Sequence, residues 1–230
     1  MGRGAGPYGF EKGAIMTSQI ILDHKLIAIV RGMEEDKILY FAEAILKGGL
    51  RMIEVTFNLR EPESLATPRA IKAISDRFGK DMWVGAGTVV SPELAEKAGD
   101  AGALYIISPN TDKAVISRTK ALGLISIPGA MTPSECLEAH NAGADFIKLF
   151  PAGDLGPDYL KAIKAPLSHL HFLATGGISE KHIPAYLKAG ASGFGIGGNL
   201  TNKEWIDAGE FNKITELAKA YVQAVSDAVC

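Results

Sequence analysis

The sequence predicts a single-domain α/β protein built as one (β/α)8 TIM barrel. Short apolar runs rich in β-branched residues alternate with amphipathic helical stretches from Leu26 to Val229. Eight such strand–helix units can be counted, which is the number that closes this type of barrel. An Ala-Gly pair recurs before three predicted strands, at Ala101-Gly102, Ala142-Gly143 and Ala189-Gly190, as expected for one helix-to-strand junction repeated in successive units. A doubly wound parallel sheet is the alternative, because one strand more or fewer fits the same alternation.

The predicted elements follow one another with short connections. The strands are Leu26–Val30, Arg51–Phe57, Met82–Ala86, Ala103–Ser108, Leu124–Pro128, Asp145–Phe150, His171–Ala174 and Gly193–Gly197. The helical stretches are Glu34–Lys47, Pro62–Phe78, Pro92–Ala101, Thr111–Leu122, Pro133–Ala142, Pro157–Ile163, Ser179–Ala189 and Lys203–Val229. Two helices begin with a hydroxyl residue before proline, Ser91-Pro92 and Thr132-Pro133, which is typical N-cap chemistry.

Composition bounds the class of protein. The 230 residues carry a formal net charge of -2, so no bulk field attracts nucleic acid or an anionic membrane surface. No apolar run reaches the roughly 18 residues of a membrane helix. Residues 1–15 are rich in glycine and lack the apolar core of a signal peptide, so we interpret them as a flexible extension or a cloning remnant. Residues 16–230 then form the barrel domain.

The two cysteines, Cys136 and Cys230, show no metal-binding or redox spacing. A reduced, cytoplasmic setting is the simplest interpretation. The histidines also lack metal-ligand spacing. We therefore predict neither a metal nor any other cofactor.

Lys148 interrupts an otherwise apolar predicted strand. Alternation along the strand places Phe146, Lys148 and Phe150 on one face. Burial between aromatic rings predicts a lowered lysine pKa and hence some free amine, which is the form that attacks a ketone to make a Schiff base. The alternative is a lysine at a strand end whose ammonium group reaches solvent.

Glu54 is predicted to point into the barrel together with Met52 and Thr56, while Val55 faces the helices. A buried carboxylate is costly unless it is paired or used in catalysis. A core ion pair with Arg31 or Lys148 is one interpretation. The other is a general acid and base beside the amine of Lys148.

The loops after the strands carry the remaining candidates, as a barrel active site requires. Arg31 ends the first strand, and its guanidinium suits a carboxylate or a phosphate, although a salt bridge at the rim is an equal alternative. Two glycine pairs, Gly176-Gly177 and Gly197-Gly198, follow the last two strands. Barrels often bind phosphate there through backbone N–H groups.

Taken in order, these segments resemble a family of bacterial class I aldolases. The matching segments are Ile29–Gly32, Glu54-Val55-Thr56, Gly85–Val89, Ile107-Ser108-Pro109, Pro128-Gly129, Ile147–Ala152, Thr175–Ile178 and Gly195–Gly198. The family is the 2-keto-3-deoxy-6-phosphogluconate (KDPG) aldolases, also called 4-hydroxy-2-oxoglutarate (KHG) aldolases. The resemblance implies a (β/α)8 barrel, a homotrimer and a place in the Entner–Doudoroff pathway. It also implies cleavage of KDPG to pyruvate and glyceraldehyde 3-phosphate, and of KHG to pyruvate and glyoxylate.

The resemblance also implies roles for individual residues. Lys148 matches the Schiff-base lysine and Glu54 the general acid/base. Thr175 falls where the family sets stereochemical preference at C4. The residues that match substrate-binding positions of the family are Arg31, Thr88, Pro109 and Phe150. Those that match its phosphate-binding positions are Gly176, Gly177, Gly197, Gly198 and Asn199.

Two positions depart from the family pattern. Asn58 stands where many members have an arginine for the pyruvate carboxylate, a role for which Arg60 is the substitute candidate, and Asn199 stands where many have serine. Asn58, Asn110 and Gly156-Pro157 resemble the sister 2-dehydro-3-deoxy-6-phosphogalactonate aldolases instead. The sequence therefore predicts a class I aldolase with gluconate or galactonate stereochemistry. Two other hypotheses are a phosphosugar isomerase or epimerase that uses Glu54 as its base, and a sugar-phosphate-binding protein without activity.

Overall fold

The computed structural model describes residues 17–61 and 64–229. Within them, all strand pairs are parallel and adjacent strands follow one another around a barrel. The strands are β1 (Leu26–Val30), β2 (Met52–Thr56), β3 (Trp83–Gly87), β4 (Tyr105–Ile107), β5 (Ile125–Ile127), β6 (Gly129–Ala130), β7 (Ile147–Leu149), β8 (Phe172–Thr175) and β9 (Gly193–Ile196). The predicted extension at residues 1–15 and Cys230 lie outside the described residues.

Nine strands are assigned where the sequence predicts eight, because Pro128 divides one barrel strand into β5 and β6. β5 pairs with β4, and β6 pairs with β7. Backbone hydrogen bonds join the two edges: the N–H of Lys148 donates to the carbonyl of Pro128 at 2.8 Å, and that of Asp145 to Ser126 at 3.0 Å. The sheet is thus closed at this point. The predicted (β/α)8 barrel is confirmed, and the doubly wound sheet is wrong.

Helices surround the barrel. They are α1 (Ser18–His24), α2 (Glu35–Lys47), α3 (Ala66–Phe78), α4 (Pro92–Asp100), α5 (Lys113–Ala121), α6 (Pro133–Asn141), α7 (Ala152–Leu155), α8 (Pro157–Lys164), α9 (Ile183–Lys188), α10 (Lys203–Asp207) and α11 (Phe211–Val229). The N-caps at Ser91 and Thr132 are confirmed: the side chain of Ser91 accepts from Leu94, and Thr132 forms a capping box with Glu135.

Three helical predictions need correction, and two short helices are additional. The stretch predicted from Ser179 begins as a 3-10 turn, Glu180–His182, and becomes α-helical only at Ile183. The stretch predicted to end at Val229 is two helices, separated near Gly209, whose φ of 70° ends α10. The helix predicted from Pro62 begins at Ala66, and residues 62–63 lie outside the described part. The short helices α1 and α7 were not predicted.

Strand alternation builds two apolar layers. Inside the barrel, Ile27, Met52, Trp83, Tyr105 and Phe146 pack together, and Ile21 of α1 joins them from the amino-terminal end. Alternate residues such as Ile53 and Val55 face the helices in a larger outer core. The predicted faces of β2 and β7 are therefore confirmed. In the described part of the chain, none of the helices combines the length and apolarity that crossing a membrane requires.

Candidate active site

A cavity of about 460 Å³ opens at the carboxyl ends of the strands. Of the residues predicted for the site from sequence, all but the substitute candidate Arg60 line it: Arg31, Glu54, Thr88, Pro109, Lys148, Phe150, Thr175, Gly176, Gly177, Gly197, Gly198 and Asn199. These residues come from seven different strands or strand–helix loops. The fold therefore gathers side chains that lie far apart in the chain into one site, at the end of the barrel where such sites occur.

Lys148 lies on β7 with only 8% of its surface exposed. Its Nζ is 5.3 Å from the centroid of the Phe150 ring, which forms part of the cavity wall. Within the described residues, Nζ makes no hydrogen bond or ion pair. The amine is thus held in a mostly apolar wall and is free to meet a ligand in the cavity, so the alternative of a lysine extended into bulk solvent does not apply.

Glu54 lies on β2, where it is 1% exposed. Its Oε2 atom is buried without a hydrogen-bond partner among the described residues. Burial raises the pKa of this carboxyl group, and the charges of Lys148 and Arg31 act in the opposite direction. Neither cation lies within 4.0 Å of the carboxylate in the part of the chain that is described. A closed core ion pair is therefore not formed, and the carboxyl group is available for proton transfer.

Gly87 makes room for this carboxylate. A Cβ atom at position 87 would lie 1.7 Å from Oε1 of Glu54 and 2.5 Å from its carboxyl carbon. Because these distances are far shorter than van der Waals contact, position 87 cannot carry a side chain while Glu54 stays in place. The next residue, Thr88, lines the cavity with a φ of 57°. A β-branched residue in the left-handed region is strained, and such strain concentrates at functional sites. The glycine at position 87 and the backbone conformation of Thr88 are thus explained by the cavity and not by the requirements of a β-strand.

Exposure divides the cavity into a deep end and a rim. Glu54, Lys148 and Thr175 are buried, whereas Gly177 and Gly198 are exposed. The backbone N–H groups of Gly177 and Gly198 donate to no other described residue, so they can bind an anion at the rim. Next to this rim, the hydroxyl of the buried Tyr221 donates to the carbonyl of Ile178 at 3.3 Å.

Three cavity residues were missed from the sequence: Ile29, Ile178 and Thr201. Ile29 and Ile178 lie within the segments Ile29–Gly32 and Thr175–Ile178 that carry the family resemblance, but both look like ordinary core residues and were given no role in the site. Arg31 is exposed and makes no ion pair among the described residues, so the rim salt bridge is not formed.

Asn58 and Arg60 do not line this cavity. The exposed Asn58 lines a neighbouring cleft instead.

Comparisons with known proteins agree with this geometry. The family model for KDPG and KHG aldolases matches residues 17–217. The 2-dehydro-3-deoxy-6-phosphogalactonate aldolase of Escherichia coli K12 is 34% identical over 206 residues, which cover 89% of this chain and 96% of the relative. The KHG/KDPG aldolase of the same organism is 34% identical over 184 residues, 79% of this chain and 83% of the relative.

A solved structure is similar over the same region. The KDPG aldolase of Legionella pneumophila, with pyruvate captured as a covalent carbinolamine intermediate, superposes with a TM-score of 0.79 at 29% identity. The superposition covers 88% of this chain and 96% of the other. The family model spans most of the chain, and two relatives exceed 30% identity over more than two thirds of it. The chain therefore belongs to the KDPG and KHG aldolase family and is a lyase.

Proposed function

We propose that the chain is a class I aldolase that cleaves KDPG to pyruvate and glyceraldehyde 3-phosphate through a Schiff base on Lys148. The observation that carries the proposal is a pair of buried, unpartnered groups at the deep end of one cavity. Lys148 supplies a nucleophilic amine there, and Glu54 supplies a carboxyl group with a raised pKa. The carbinolamine in the Legionella relative supports the same chemistry.

The cavity supports one orientation of the substrate. The ketone at C2 must reach the amine of Lys148, so the carboxylate end lies at the deep end. The phosphate then lies at the rim, where Gly177 and Gly198 are exposed and their N–H groups donate to no residue in the described part of the chain. Arg31, also exposed and without an ion pair among the described residues, is a second anion-binding group at the mouth.

The reaction follows from these positions. Nζ of Lys148 adds to C2, and loss of water from the carbinolamine gives an iminium ion. The C3–C4 bond then breaks, and its electron pair moves to the iminium nitrogen to form an enamine. Glu54, directly or through a water molecule, takes the C4 hydroxyl proton as the aldehyde forms. It returns a proton to C3, and hydrolysis of the resulting iminium frees pyruvate and Lys148. The iminium is the electron sink, so the reaction needs no cofactor.

A second candidate substrate is the C4 epimer, 2-dehydro-3-deoxy-6-phosphogalactonate. The galactonate aldolase of Escherichia coli matches over a longer span than the KHG/KDPG aldolase at equal identity, and Asn58 resembles that subfamily. Thr175 lines the cavity, and the segment Thr175-Gly176-Gly177 to which it belongs resembles the gluconate type instead. KHG, which would yield pyruvate and glyoxylate, is a further substrate of the proposed enzyme. We also propose a cytoplasmic homotrimer in the Entner–Doudoroff pathway, on the family resemblance alone.

The first experiment is intact-mass analysis after incubation with pyruvate and sodium borohydride, followed by peptide mapping. One reduced pyruvyl adduct on the peptide that contains Lys148 is the expected result. Absence of an adduct in a folded sample that binds phosphate would instead favour the isomerase or epimerase hypothesis. Cleavage assays with each synthetic C4 epimer and with KHG then identify the preferred substrate. Binding of each epimer without turnover would favour the binding-protein hypothesis.

A further inference from the structure

A buried tyrosine crosses the barrel interior at the level of Glu54. Tyr105, on β4, is completely buried in the apolar cluster inside the barrel. Its ring lies over Gly85 of the neighbouring strand β3: a Cβ atom at position 85 would be 2.1 Å from Cε2 of Tyr105. Its hydroxyl reaches one strand further and donates to the carbonyl oxygen of Ile53 on β2 at 2.7 Å. The side chain therefore spans three strands.

This arrangement brings Tyr105 against the proposed acid/base. Ile53 directly precedes Glu54, and Gly85, under the ring, is the register partner of Glu54 in the β2–β3 pair. The hydroxyl of Tyr105 and the carboxylate of Glu54 also interact electrostatically. Burial, and secondly the charge of Glu54, raise the pKa of the Tyr105 hydroxyl well above its ordinary value.

Glycines at alternate positions of β3 admit both side chains. Gly85 accommodates the ring of Tyr105 from β4, and Gly87 accommodates the carboxylate of Glu54 from β2. Both glycines belong to the inner face of the same strand, two residues apart. Any side chain at either position would displace one of the two groups. The positions of the Tyr105 ring and of the Glu54 carboxylate therefore both depend on the two glycines of β3.

We infer that Tyr105 is the positioning residue of Glu54. Its hydroxyl fixes the backbone of β2 one residue before the carboxylate, and its ring packs over Gly85, the register partner of Glu54. The inference rests on the proposed role of Glu54. Tyr105 does not line the cavity, so it acts on the reaction through Glu54 and not on the substrate.

The test is Tyr105→Phe, which keeps the ring and removes only the hydroxyl. The reaction to follow is exchange of the pyruvate methyl protons in D2O by NMR, because this exchange needs the imine and a proton transfer at C3 but no aldehyde. We expect the exchange rate at saturating pyruvate to fall by roughly 10- to 100-fold, the scale of a small displacement of a catalytic group. The borohydride adduct on Lys148 should form to the same extent as in the wild type.

The pH dependence of the exchange rate separates a positioning role from a merely structural one, because a merely structural role of Tyr105 would leave it unchanged. The charged and titratable groups facing Glu54 are Lys148 on β7, Arg31 after β1 and Tyr105 on β4. Without the Tyr105 hydroxyl the carboxyl group of Glu54 is no longer held in its fully buried position, and because burial raises its pKa, the rising limb of the exchange rate should shift to lower pH. The limb follows the pKa of Glu54, because the ionised carboxylate must take the first proton.

A matched control is Tyr186→Phe. Tyr186 is also a buried tyrosine whose hydroxyl donates to a backbone carbonyl, that of Ala152, but it belongs to the outer core. This variant should keep the wild-type rate and pH limb. The inference is overturned if Tyr105→Phe, shown to be folded by circular dichroism, keeps the wild-type exchange rate and the wild-type pH dependence. It is also overturned if both variants lose exchange rate equally and the rising limb of neither shifts. A wild type without adduct or exchange would overturn the proposed function itself.

Discussion

Oε1 of Glu54 occupies the space in which position 87 would carry a Cβ atom, since the two positions are 1.7 Å apart. The glycine at the end of β3 is therefore part of the proposed acid/base site, although it contributes no functional group. This relationship makes the carboxylate sensitive to the smallest possible substitution on a neighbouring strand.

Gly87→Ala should displace Glu54 and lower kcat by about 100-fold or more, because a shift of about 1 Å in a catalytic group costs that much. Overpacking should also cost about 1–3 kcal/mol in the free energy of unfolding. Steady-state kinetics and thermal melting measure both. Gly99→Ala is the control: this glycine lies in α4, where an added Cβ meets nothing closer than 3.5 Å. Alanine there should stabilise the chain slightly and leave kcat unchanged.

Glu54→Gln should lower kcat by about 100- to 10,000-fold, the contribution of general acid–base catalysis, and should stabilise the fold at neutral pH. The folded-state pKa of Glu54 is raised by burial. Its stabilising contribution is therefore fully present below the ordinary glutamate pKa of about 4.3 and is lost as pH rises through the folded-state pKa.

The variant should consequently melt above the wild type at pH 8, by about 2–4 °C for each kcal/mol relieved. The difference should disappear near pH 4. Paired melting curves at the two pH values decide the matter. A variant less stable than the wild type at pH 8 would contradict a carboxylate that is buried and unpaired.

Lys148→Ala should abolish the borohydride adduct and lower turnover by more than about 1,000-fold with the fold intact, because the amine supplies the covalent step. Lys164→Met is the matched control. Burial lowers the pKa of Lys164, whose Nζ donates to the carbonyl of Leu170 at 2.8 Å, outside the cavity. Peptide mapping should find the adduct in this variant unchanged. Pyruvate release by pure Lys148→Ala protein would refute the assignment.

Thr175→Val tests the choice between C4 epimers. Among the described residues, the hydroxyl of Thr175 makes one long contact, 3.5 Å to the carbonyl of Leu173, so it is available to the substrate. Losing one neutral hydrogen bond should reduce kcat/KM for the gluconate epimer relative to the galactonate epimer by about 3- to 10-fold. Thr201→Val, at another cavity-lining threonine, should affect both epimers equally. An unchanged ratio in Thr175→Val would assign the stereochemical preference elsewhere.

The barrel and the membership of its cavity could be predicted because both depend on local patterns. Strand alternation gives the face on which Glu54 and Lys148 lie, and the barrel fold gives the end at which the loops gather. The motifs are short and lie at strand ends, so errors of one or two residues in strand bounds did not disturb the cavity list.

Other features depend on contacts that the sequence does not reveal. The short helix α1 precedes the first strand and has no counterpart in the repeated units, so no pattern indicated that Ile21 joins the barrel interior. The break at Pro128 is visible only once both of its neighbouring strands are known. Tyr105 reads as an ordinary strand residue, and its relation to Glu54 requires the register across β2, β3 and β4.

The closure of the barrel by Ile21 of α1 bears on kinetics. With the amino-terminal end filled by apolar side chains, the catalytic chamber is blind-ended, and both products of the proposed cleavage must depart through the same mouth. The pyruvyl group is tethered to Lys148 behind the aldehyde, so glyceraldehyde 3-phosphate leaves first and pyruvate last. In such an ordered scheme pyruvate inhibits competitively against the sugar acid, whereas the aldehyde inhibits noncompetitively. The seven-residue helix α1, on the far side of the barrel, thus leaves a single exit for both products.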